Sequence, residues 1–141
     1  MKKNDVKRQV SEAIGACQEK KAQDIAVLEL EQGSGAFTDY FVVCSGTNPR
    51  QIQAIADEVE IRLKKKGHYH AHIEGYNQAE WILLDYVDFV VHIFSEHARK
   101  YYDLERLWKS AKKLGPSELK PTKPGAKTKR APVRASRKKL A

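Results

Sequence analysis

His68, His70 and His72 alternate along a stretch that reads as a strand, so all three imidazoles would project from one face. Three imidazoles on one face make a donor set for Zn or Ni. No cysteine or carboxylate stands beside them at ligand spacing. An exposed edge strand carries polar residues on its solvent side in the same pattern, and that is the expectation, with metal the less favoured reading. Ser45-Gly46-Thr47 falls between an apolar run and a helix start, where phosphate-binding loops occur. With one glycine and no lysine it matches neither a Walker loop nor a dinucleotide fingerprint, so joining strand to helix is its expected task. Asp39, Asp85 and Asp88 could supply a carboxylate pair, but Asp85 and Asp88 flank a two-residue turn, where Asp is common for backbone reasons. No Ser-His-Asp order and no Cys-His dyad stands out. The residues predict neither catalysis nor a bound cofactor.

Two aromatics call for another kind of chemistry. On a helix from Ser95 to about Ser110, Tyr101, Leu104, Leu107, Trp108 and Ala111 fall on one arc, expected to face the core. Tyr102 points the other way, among Ala98, Arg99, Glu105 and Arg106. An outward aromatic framed by charges is the pattern of an interface anchor, although an exposed tyrosine without a partner gives the same pattern. Trp81 shares a strand face with Leu83 and Asp85, while Ile82, Leu84 and Tyr86 share the other; periodicity leaves open which face meets the helices.

The elements that must carry these residues are legible. A first helix over residues 5 to 20 repeats Val6, Val10, Ala13, Ile14 and Cys17 at helical spacing. Asp24 to Glu31 alternates as a half-buried strand, and Gly33-Ser34-Gly35 supplies a turn. Tyr40 to Cys44 is continuously apolar, as in a strand covered on both faces. Asn48, Pro49 and Gln51 mark a helix start, and Gly67 after three lysines marks its stop. Tyr69 to Ile73 predicts an edge strand; Glu80 to Tyr86 and Asp88 to Phe94 predict an antiparallel hairpin. The order is α-β-β-α-β-β-β-α. It predicts an α/β domain, a mixed five-stranded sheet with flanking helices.

Charge divides the chain. Of its 141 residues, 26 are basic and 18 acidic, but eleven of the basic residues and one acid lie from Ala111 onward, a net +10 against −2 for the rest. Four of the five prolines lie there too, without apolar periodicity. Such a segment buries too little to offset its ordering entropy. The expected organisation is a folded domain over 1–113 and a disordered basic tail over 114–141. No segment reaches the roughly 18 apolar residues of a membrane helix, and no apolar signal region follows Met1, so a cytoplasmic protein is expected.

Thr38 to Gln51 (T-D-Y-F-V-V-C-S-G-T-N-P-R-Q), Glu74 to Asp85 (E-G-Y-N-Q-A-E-W-I-L-L-D) and Asp88 to Trp108, with D-F-V-V-H-I-F and R-K-Y-Y-D-L-E-R-L-W, resemble the ribosomal silencing factor family, also called Iojap-like. The resemblance runs in order from about Val6 to Trp108. It implies a nucleotidyltransferase-like fold without that superfamily's catalytic motif. It also implies binding to the large ribosomal subunit through ribosomal protein uL-fourteen, which blocks joining of the small subunit and represses translation when nutrients are scarce. The contact residues it implies are Trp81, Asp85, Asp88, Tyr102, Glu105 and Arg106, and it allows a homodimer of the free protein. The competing class is a nucleotide-binding enzyme that kept the fold's ancestral activity. The family's turn usually reads D-x-G-D, whereas Asp85-Tyr86-Val87-Asp88 stands here, so a less tight turn is expected. The tail lies outside the resemblance. Its Lys127, Lys129, Arg130, Arg134, Arg137, Lys138 and Lys139 are candidates for ribosomal RNA contacts on charge alone.

Overall fold

The computed structural model describes residues 2–30, 38–108 and 111–114. The expected Gly33-Ser34-Gly35 turn and the basic tail lie outside the described residues. The chain runs α1 (Lys2–Glu19), β1 (Gln23–Glu29), β2 (Tyr40–Gly46), α2 (Pro49–Lys65), β3 (His72–Glu74), β4 (Trp81–Asp85), β5 (Phe89–Ser95), α3 (Glu96–Tyr102), α4 (Leu104–Leu107) and β6 (Lys112–Leu114). The strands form one mixed sheet in the order β3-β4-β5-β2-β1-β6. Among the described residues only β2 and β5 pair in parallel, Tyr40 opposite Phe89 through Gly46 opposite Ser95. The other four pairings are antiparallel.

Strand alternation sorts the core into two layers. Val42, Cys44, Ile82, Leu84, Val91 and Ile93 point to the face covered by α1 and α2, where they meet Val10, Cys17, Ile52, Ile55, Val59 and Leu63. Phe41, Val43, Val90 and Phe94 point to the opposite face, which α3 and α4 cover with Ala98 and Leu104. The continuous apolar run of β2 is therefore a central strand, buried throughout. The start of α2 also matches its sequence signals: Asn48 accepts from the Gln51 amide, Pro49 opens the helix, and Gly67 follows it at φ +89°.

Three expectations change. A sixth strand is present, because Lys112–Leu114 pairs with Val27–Glu29, which carries the sheet one residue past the expected boundary. The edge strand occupies His72–Glu74, so His68 and His70 lie before it and do not share a strand face with His72. The last helix is not continuous. Asp103 adopts φ +48°, closes α3 and starts α4, which resets the helical phase. Leu104 is buried, and Trp108 and Ala111 pack on the core, but Tyr101 is 74% exposed and Leu107 73%. Tyr101 and Leu107 are thus surface residues, not core ones.

Candidate docking face

The sheet face away from α1 and α2 is only partly covered, and Trp81 lies at its margin. The alternation of β4 turns Ile82 and Leu84 into the helix-covered layer and leaves Trp81 and Leu83 half-buried on the other side. This settles which face of β4 meets the long helices. Gly75 fixes where β4 starts. It has φ +79°, and a Cβ there would stand 2.1 Å from the Trp81 carbonyl oxygen, so a side chain would push the strand away.

The indole is held on several sides. Its Nε1–H donates to His92 Nδ1 at 3.0 Å, and its ring lies 4.9 Å from Phe94 and 4.8 Å from Tyr102 between centroids. Burial pushes His92 down to about 3, so the imidazole is neutral and its Nδ1 is free to accept. Phe41 meets His92 and Trp108 edge-on at 4.6 and 5.7 Å, which completes an aromatic floor. Tyr102 rests on Trp81 yet stays 46% exposed, and Tyr101 stands against it at 5.0 Å. The sequence separates Trp81 from Tyr102; the fold brings them into contact.

The acids fall elsewhere on the same hairpin. Asp85 lies four residues along β4 from Trp81, about 13 Å at strand spacing. Its Oδ1 accepts from the Val87 amide at 2.8 Å. Asp88 is exposed just beyond. Between them Val87 has φ +74°, and the Asp88 amide donates to the Tyr86 carbonyl at 2.9 Å, a strained γ-turn. The expected loosening does not occur: valine takes a conformation that glycine adopts without strain. Arg106 is exposed on α4, whereas Glu105 is engaged inside the chain. Both Glu105 oxygens accept from Arg99, at 3.2 and 2.8 Å, and this hydrogen bonding holds the carboxyl below its usual range. Arg99 was not singled out by the sequence. It also donates to the Asp24 carbonyl at 2.6 Å and to Ser45 Oγ at 3.0 Å.

The other candidate centres do not assemble. His70 Nε2 pairs with Glu60 at 3.0 Å and His72 Nε2 with Glu74 at 2.6 Å. Among the described residues no group of three or more His, Cys, Asp or Glu is placed to hold a metal ion. At the Ser45-Gly46-Thr47 loop, the Thr47 amide donates to Gln51 Oε1 at 2.7 Å and the Gln51 amide to Asn48 Oδ1 at 2.8 Å. Two donors that a phosphate would use are thus satisfied by the chain's own side chains.

Comparison with known proteins adds a family. The model described as "Ribosomal silencing factor during starvation" matches residues 3–140. The ribosomal silencing factor of Bacillus subtilis is 41% identical over 99 residues, 70% of this chain and 83% of that protein. A mouse protein named for mitochondrial assembly of the ribosomal large subunit is 30% identical over 98 residues, 67% of this chain and 42% of its own length. A crystal structure from Chromobacterium violaceum superposes with a TM-score of 0.69 at 33% identity, covering 72% of this chain and 84% of that one.

Proposed function

Because the chain belongs to the ribosomal silencing factor family, whose members regulate translation at the ribosome, we propose that it docks on the large ribosomal subunit against ribosomal protein uL-fourteen and excludes the small subunit. The observation that carries this reading is the contact between Trp81 and Tyr102 on a half-covered sheet face. Large aromatics that remain partly exposed beside charged residues are the usual anchors of protein interfaces. Asp85 and Asp88 at the turn of the hairpin, and the exposed Arg106 on α4, are the charged residues proposed to join them. The name of the mouse relative, which specifies the large subunit, supports the choice of subunit. Nothing in the mechanism needs a reaction: affinity places the protein, and its bulk occupies the space of the second subunit.

Sedimentation tests the reading. The protein should pellet with purified large subunits, and adding it before small subunits should lower the yield of joined ribosomes. Failure to pellet with large subunits at moderate salt would sink it. A nucleotide-binding enzyme is the competing reading, and the self-satisfied loop at Ser45-Gly46-Thr47 weighs against it. Titration with nucleotides and Mg²⁺ separates the two.

A further inference from the structure

Resting on the docking face just described, we infer that Arg99 and Glu105 are positioning residues that hold Tyr102 against Trp81, with Glu105 acting through this clasp and not by touching the partner.

The clasp exists because the helix breaks. Six residues apart on an unbroken α-helix, Arg99 and Glu105 would point about 120° apart around the axis and lie about 9 Å apart along it. The left-handed Asp103 folds α4 back, and both Glu105 oxygens then receive the Arg99 fork. Four N–H groups of Arg99 are committed within the chain: two to Glu105, one to the Asp24 carbonyl of β1 and one to Ser45 Oγ of β2. The side chains of Arg99 and Glu105 are only 14% and 21% exposed, so neither is presented as a free charge. Tyr102 lies between Arg99 and the break, and the Asp103 amide donates to the Arg99 carbonyl at 3.0 Å. Pinning Arg99 to two strands therefore fixes the last turn of α3, and with it the ring that rests on Trp81. A planar bidentate fork is what lysine cannot reproduce.

The chain has two tryptophans, so a Trp108→Phe protein leaves Trp81 as the only indole reporter. In that reference, Tyr102→Ala should shift Trp81 emission to the red by uncovering the ring. Glu105→Ala and Arg99→Lys should shift it the same way, and adding either to Tyr102→Ala should shift it no further. Large-subunit co-sedimentation gives the parallel cycle. Glu105→Ala should weaken binding about tenfold when Tyr102 is present, the loss expected for a hydrogen-bonded charge, and should cost nothing more when Tyr102 is absent. Additive binding losses with unchanged emission would overturn the inference and make Glu105 a direct contact. Unchanged binding and emission would overturn it by removing any role. If Glu105→Ala does not fold, Glu105→Gln, which keeps the side-chain shape, reads the same cycle. Should the unmutated protein not bind large subunits, the docking proposal fails, while the emission cycle still reports on the clasp.

Discussion

Trp81 satisfies its one polar group inside the protein and remains half-buried. The His92 acceptor fixes the indole plane, and Phe94 and Tyr102 hold it from two sides. Truncating such an anchor typically costs about 2 kcal/mol or more. Trp81→Ala and Tyr102→Ala should therefore each weaken large-subunit binding roughly 30-fold, measured by co-sedimentation, with melting still cooperative. Tyr101→Ala provides the contrast: as a largely exposed residue it should leave the melting temperature nearly unchanged. Glu105 gives a pH signature. Its folded pKa is depressed by Arg99, so its stabilisation is complete above about 4.3, the ordinary glutamate value, and is lost as pH falls through the lower folded value. Glu105→Gln should lower the melting temperature at neutral pH, and the gap from wild type should begin to close only as pH falls below about 4.3 and vanish below the depressed folded value. A gap that stays constant from pH 7 to 3 would argue against an ionised clasp.

Two short connections decide more than their length suggests. The γ-turn at Val87 places a β-branched residue at φ +74°, where glycine is at ease. Val87→Gly should raise stability by about 1 kcal/mol in urea unfolding, by removing strain of the size such outliers store. The side chain is exposed, so little packing is lost. The break at Asp103 shows why part of the docking face was legible in sequence and part was not. Ala98, which a continuous wheel puts on the outward side with Tyr102, is instead buried beneath α3. Asp103 resets the phase, which no apolar spacing announces, since Leu104 and Trp108 fit a continuous helix as well as a broken one. Tyr101 was misplaced by reasoning across that break. The β4–β5 hairpin, the cap at Asn48 and the buried β2 were readable because periodicity, turn residues and capping agree there. Contact between Trp81 and Tyr102 was not readable, because it depends on which face of β4 the long helices cover.

Over the whole chain, the near-neutral residues 1–110 carry the aromatic face and the last 31 residues carry +10. A domain with net −2 has little general attraction for RNA, so any phosphate contacts should come from the basic segment. Were residues 115–141 to behave as a flexible chain, their 27 residues would span roughly 30 Å, enough to reach RNA around a docking site. If about five phosphates are neutralised, log affinity should fall against log salt with a slope near −3.5 to −4.5. Deleting residues 115–141 should flatten that slope and weaken binding chiefly at low salt, while Trp81 and Tyr102 remain essential. Equal binding by both lengths from ~50 to 200 mM salt would leave the segment without a part in docking.

The strand order also sets a schedule for the newborn chain. Tyr40 finds its parallel partner only when Phe89 has been made, because β5 inserts beside β2 after α2, β3 and β4. At roughly 5–20 residues per second, synthesis of the intervening stretch takes about 2 to 10 s. For that interval β2, apolar on both faces, has β1 on one side and nothing on the other. The edge of β2 that β5 covers in the finished fold thus has no partner of its own until the hairpin is made, so the two halves of the sheet cannot join before then.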